Sequence, residues 1–117
     1  MSKHVSEALV EQIVEGLEEI KGEAITVLDL RSIENSVCDF FVIANAQSGT
    51  QVRALSNSVE KLVFEKGKEK PWHVEGLENL EWVLMDYVSV VVHIFRTEAR
   101  AFYDLESLWG DAPVLGA

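Results

Sequence analysis

The residues of this chain that could do chemistry are few, and their spacing does not gather them. His93 lies inside the apolar run VVVHIF, where an imidazole is ordinarily a hydrogen-bonded core or surface group. His73 and His93 could share a sheet face, but no spacing resembles a metal motif such as H-E-x-x-H. Asp29, Asp39 and Asp86 could meet as paired carboxylates, although nothing in their spacing requires it. Cys38 has no His or second Cys nearby and reads as a small buried apolar residue, with no signal for a lowered thiol pKa. Ser48-Gly49-Thr50 at a strand-to-helix junction invites a phosphate-binding reading. With one glycine and no following Walker lysine, it reads instead as a helix cap. There is no nucleophile elbow, P-loop or dinucleotide fingerprint, so catalysis has little support and no cofactor is implied.

These residues must be positioned by elements that the apolar pattern outlines. From about Ser2 to Ile20, Val5, Leu9, Ile13, Leu17 and Ile20 recur at helical spacing, with Val10 and Val14 broadening the stripe. Glu7, Glu11, Glu15, Glu18 and Glu19 form its solvated side. Lys21-Gly22 suits the helix end. Residues 24–30 read as a short strand, and 37–46 (VCDFFVIANA) as a second, stronger one. Ser48 opens the next helix as a capping box, its hydroxyl accepting from the Gln51 N–H while the Gln51 side chain reaches back to Ser48. Val52, Leu55, Val59, Leu62 and Val63 mark that helix's buried face. EKGKEK ends it, and Pro71 begins a brief extended segment closed by Gly76.

The longest strand-favouring stretch is 81–95, EWVLMDYVSVVVHIF. Alternation puts Trp82, Leu84 and Asp86 on one side and Val83, Met85 and Tyr87 on the other. Val90 to Val92 are apolar on consecutive positions, as in a central strand covered on both faces. The junction at 87–89 lacks the usual Gly or Asn of a tight hairpin, which suggests a bulge or a continuous bent strand. Thr97 is placed to cap a last helix, with Ala101, Phe102, Leu105, Leu108 and Trp109 as its apolar side and residues 111–117 as a frayed tail.

The totals narrow the class. A chain of 117 residues with 48% hydrophobic content fits one folded α/β domain. No apolar run approaches the roughly 20 residues a membrane span needs, and the acidic residues spread through the N-terminus exclude a signal peptide. The single cysteine fits a reducing cytosol. A formal net charge of −10 argues against direct nucleic-acid binding and for a basic partner surface.

Several stretches together resemble one family: NSVCDFFVIANAQSGTQVRAL at 35–55, PWHVEG at 71–76, EWVLMDYVSVVVHIF at 81–95 and FYDLESLWGDAP at 102–113. Their order and spacing are similar to the Iojap / ribosomal silencing factor family, known as RsfS. One departure is visible: family members often carry an acidic residue before VVVHIF, sometimes after Gly, where this chain has Val88-Ser89. The resemblance implies a mixed β-sheet flanked by helices, related to nucleotidyltransferases but lacking their catalytic signature. It also implies a cytoplasmic, non-enzymatic role. Such a protein binds the L-fourteen protein of the large ribosomal subunit, blocks joining of the small subunit and represses translation, and it often forms a homodimer when free. On that basis the expected partner-binding residues are Glu81, Trp82, Met85, Asp86, Tyr87 and Phe95. Trp82 and Tyr87 would be the aromatic anchors, Glu81 and Asp86 the partners of basic side chains, and Met85 and Phe95 apolar contacts. The competing class is a nucleotidyltransferase-like enzyme holding a nucleotide and magnesium through Ser48, Gly49 and an Asp pair.

Overall fold

The computed structural model describes residues 3–115, with side chains from Ser6 onward. The elements run α1 (Lys3–Glu19), β1 (Glu23–Asp29), β2 (Phe40–Ala46), α2 (Gly49–Gly67), β3 (His73–Glu75), β4 (Trp82–Asp86), β5 (Val90–Arg96), α3 (Thr97–Tyr103), α4 (Leu105–Leu108) and β6 (Val114–Leu115). The strands form one mixed sheet in the order β3-β4-β5-β2-β1-β6. The central pair, β2 and β5, is parallel, with Phe40 opposite Val90 and Ala46 opposite Arg96. The other neighbours are antiparallel.

The two central strands are apolar on both faces because both faces are covered to some extent. Val42, Ala44, Val90, Val92 and Ile94 pack into the larger core with α1 and α2. Phe41, Ile43, Val91 and Phe95 belong to a second core on the other side, with Ala99, Leu105 and Ala112. Leu9, Ile13 and Leu17 of α1 are buried, as the helical stripe requires, each worth about 1.5–3 kcal/mol of apolar burial. Val5 lies outside the described side chains. The two helices approach closely at Gly16, where a Cβ would stand 3.0 Å from the Val59 Cα, and Ser58 Oγ donates to the Gly16 carbonyl at 2.7 Å.

Five local expectations are revised. Ser48 Oγ does accept from the Gln51 N–H at 3.2 Å, but the Gln51 amide donates to the Ile20 carbonyl at 3.0 Å instead of closing the box. It thereby ties the end of α1 to the start of α2. The second strand begins at Phe40, leaving Val37 72% exposed. The 87–89 junction is a true hairpin: Tyr87 and Val90 close it by a 2.9 Å N–H···O bond, and Val88 adopts φ 76°. Thr97 does not cap α3; its hydroxyl donates to the Ala46 carbonyl at 3.2 Å. Finally, residues 111–115 are not a frayed tail. Ala112 is buried, Asp29 N–H donates to the Pro113 carbonyl, and β6 pairs with β1.

The last helix is also broken. Asp104 takes a left-handed conformation at φ 47°, ending α3 and starting the single turn of α4. In α3 Ala99 faces the core and Phe102 is exposed, and the break sets a new phase for α4, where Leu105 is buried and Leu108 exposed. Arg100 fastens this segment to the sheet. Its guanidinium donates to the Ala24 carbonyl, Asn45 Oδ1, Thr26 Oγ1 and Glu106 Oε2.

Candidate functional site

α1 and α2 cover one face of the sheet, whereas α3 and α4 cover only part of the other. Along β4 and β5 the alternation resolves the expected partner-binding residues into two groups. Met85 and Tyr87 point toward the helices and are 0% and 4% exposed. They are core residues, packed in the cluster that α1 and α2 cover. Met85 Sδ accepts from Ser56 Oγ of α2. The Tyr87 hydroxyl is buried without a hydrogen-bond partner among the described residues, and desolvation, with Glu60 and Glu69 adding to it, raises its pKa. Phe95 lies on the opposite face but is fully covered, with Trp82 stacked on it at 4.9 Å between ring centroids. It supports the Trp82 ring from beneath. Trp82 and Asp86 are half-buried on that open face, and Glu81 is exposed where β4 begins.

Trp82 organises the aromatic surface. Besides covering Phe95 it packs against Tyr103 at 4.8 Å, and Tyr103 meets Phe102 edge-on at 5.2 Å. Its indole N–H donates to His93 Nδ1 at 3.1 Å. His93, 3% exposed, also meets the Phe41 ring edge-on at 4.6 Å. Burial among these rings lowers the imidazole pKa from 6.5 to about 4, so it is neutral at physiological pH.

Beside this ladder runs a groove of about 410 Å³ lined by Val37, Phe41, Trp72, Leu84, Asp86, Val88, Val91 and His93. Trp72 is 81% exposed at its rim. Asp86 Oδ1 accepts from the Val88 N–H at 2.7 Å, which holds the carboxylate at the groove and supports the turn. Gly76 keeps the neighbouring loop close: at φ 93° it sits where a Cβ would collide with the Trp82 carbonyl oxygen.

The candidate catalytic groups are occupied locally. Asp29 binds Arg31 through both carboxylate oxygens, Asp39 accepts from buried Ser6 at 2.8 Å, and Asp86 serves its turn. Gly49 packs against Leu80. The Cys38 thiol donates to the Phe40 carbonyl, and burial pushes its pKa up to about 12. His73 stands on the edge strand beside Glu75 at 2.7 Å. Among the described residues, no group of three His, Cys, Asp or Glu side chains is placed to hold a metal ion.

The residues that sequence reasoning missed as surface are Val37, Trp72, Val88, Phe102 and Leu108. Trp72 carried a signal, being a lone large aromatic beside the charged EKGKEK. Phe102 and Leu108 were hidden by the assumption of one continuous helix.

The model for "Ribosomal silencing factor during starvation" matches residues 3–116. This chain belongs to the ribosomal silencing factor (RsfS) family. It is 37% identical over 110 residues to a ribosomal silencing factor of Halalkalibacterium halodurans, covering 94% of this chain and 92% of that one. To the Bacillus subtilis ribosomal silencing factor it is 38% identical over 94 residues, covering 80% and 78%. A chloroplastic Iojap protein of Zea mays is 38% identical over 94 residues, which is 80% of this chain and 40% of the plant protein. Among solved structures, a Chromobacterium violaceum protein superposes with a TM-score of 0.82 at 39% identity, covering 89% of this chain and 85% of that one. The mixed sheet flanked by helices is thus the RsfS fold. No helix among its described residues is long and apolar enough to cross a membrane.

Proposed function

We propose that this RsfS protein acts in the cytoplasm by docking the open face of its sheet on the L-fourteen protein of the large ribosomal subunit. In that position it sterically prevents the small subunit from joining and so represses translation without catalysing a reaction. The observation that carries this reading is the exposed apolar surface made by Trp72, Val37 and Val88 around the groove, continuing through Trp82, Tyr103 and Phe102. A patch of that kind on a soluble domain marks an interaction site, and Trp and Tyr dominate interface hot spots. Glu81 and Asp86 beside it, in a chain of net charge −10, favour a basic partner and speed encounter. The same apolar surface is available to a second copy of the chain, so a free homodimer would hide it.

The test is co-sedimentation of the purified protein with isolated large subunits, with and without small subunits, over a salt series. Binding to large subunits, displacement or exclusion of small subunits, and weakening with salt are the expected results. Failure to bind large subunits at low salt refutes the reading. A thermal shift with nucleotide and magnesium would then reopen the enzymatic alternative.

A further inference from the structure

His93 carries a proton that no group among the described residues receives. Its Nδ1 accepts the Trp82 indole N–H, so the neutral ring must hold its own proton on Nε2. Nε2 is buried without a hydrogen-bond partner among the described residues, in a ring that lines the groove. Buried donors are nearly always satisfied, and one left open within a binding surface calls for an acceptor. The remaining lining is aliphatic or aromatic except for Asp86 at the turn. That carboxylate, in a strongly acidic chain, repels an anionic acceptor and attracts a cation.

Resting on the docking reading above, we propose that this groove is a socket for one segment of the basic ribosomal partner, presenting three features together. An aliphatic side chain fills the space among Val37, Phe41, Leu84 and Val91. A neutral oxygen, from the main chain or a hydroxyl, accepts from His93 Nε2–H. A Lys or Arg next to it pairs with Asp86. Trp82 acts as a positioning residue, since its indole N–H selects the His93 tautomer that can donate. The groove therefore reads a sequence feature of the partner, while the surrounding aromatic surface supplies area.

The experiment measures affinity for isolated large subunits at fixed salt for His93→Phe, His93→Gln and Asp86→Asn, beside the doubly substituted Trp72→Asp, Phe102→Asp protein. Phe keeps a ring but removes the donor, and a roughly ten-fold loss of affinity is expected. Gln retains an acceptor for Trp82 and a donor for the partner, so it should bind within about two-fold of the unsubstituted protein. Asp86→Asn keeps the turn's acceptor and should flatten the salt dependence. If the double substitution abolishes binding and His93→Phe does not weaken it, the socket is refuted and the docking face stands. If neither changes binding, the docking reading itself fails. As a check that needs no substitution, the imidazole ¹⁵N–¹H resonance of the native protein is followed on adding the isolated L-fourteen protein. A changed, protected Nε2–H signal is expected, and an unchanged one overturns the proposal.

Discussion

Lowering the pH from 6.5 toward 4 should destabilise this protein through His93. The imidazole pKa falls from 6.5 to about 4 on folding because burial among Phe41, Trp82 and Phe95 disfavours the charged ring. Between those two values the unfolded chain binds a proton that the folded chain refuses, so stability falls as pH falls from 6.5 toward 4. It is unaffected by this group above 6.5. Each pH unit in the window is worth about 1.4 kcal/mol, giving about 3 kcal/mol in all, a large share of the 5–15 kcal/mol typical of a domain. Protonation also sets a ring N–H against the Trp82 N–H, which breaks the 3.1 Å bond between them. The assay is urea unfolding from pH 7.5 to 4 for the native protein and His93→Gln. Carboxylate titration is common to both, so the difference between their curves isolates the imidazole. The native protein should lose stability more steeply between pH 6.5 and 4.5. Parallel curves would refute the reasoning, as would a native-state His93 titration by NMR with a pKa near 6.5.

Val88→Gly should stabilise the fold by about 1 kcal/mol, raising Tm by roughly 4 °C. The β-branched residue stands at φ 76°, where glycine has no Cβ to clash; an unchanged or lower Tm would show the turn to be unstrained. Met85→Ala should cost about 2–5 kcal/mol of stability in urea, as a core truncation does. Trp72→Ala should leave stability within about 0.5 kcal/mol and weaken large-subunit binding at least ten-fold; the reverse pattern would invert the assignment of faces. Cys38 should be alkylated by iodoacetamide at pH 8 roughly a thousand-fold more slowly in the folded than in the unfolded protein, because burial raises its pKa from 9.0 to about 12. Equal rates with the fold intact would contradict the burial.

Much of the sheet was legible because period-two alternation is a local property. Trp82, Leu84 and Asp86 do face one way and Val83, Met85 and Tyr87 the other. Which of those faces is open was not legible, because that depends on where α1 and α2 land, a matter of tertiary packing. The aromatic anchors were therefore split: Tyr87 went to the core, and Trp72, from a distant edge segment, took the exposed place. The break at Asp104 was equally hidden, since no Gly or Pro marks it, and it gives α4 a phase of its own in which Leu108 is exposed. At Val88 propensity gave no sign of a tight turn, because neither Gly nor Asn stands there, yet that residue takes the positive φ of the hairpin.

The parallel pairing of β2 with β5 joins residues far apart in the chain, Phe40 with Val90 and Ala46 with Arg96. A nascent chain that ends before Val90 carries β2 with apolar residues on both faces and an unsatisfied row of backbone groups along its β5 side. Such an intermediate is prone to aggregate until the last third arrives. C-terminal truncation that reaches β5 therefore removes the middle of the sheet, whereas a shorter one removes only β6 at its margin. No fragment stopping short of β5 can present Trp82 on its Phe95 support, so the surface exists only once the centre of the sheet is complete.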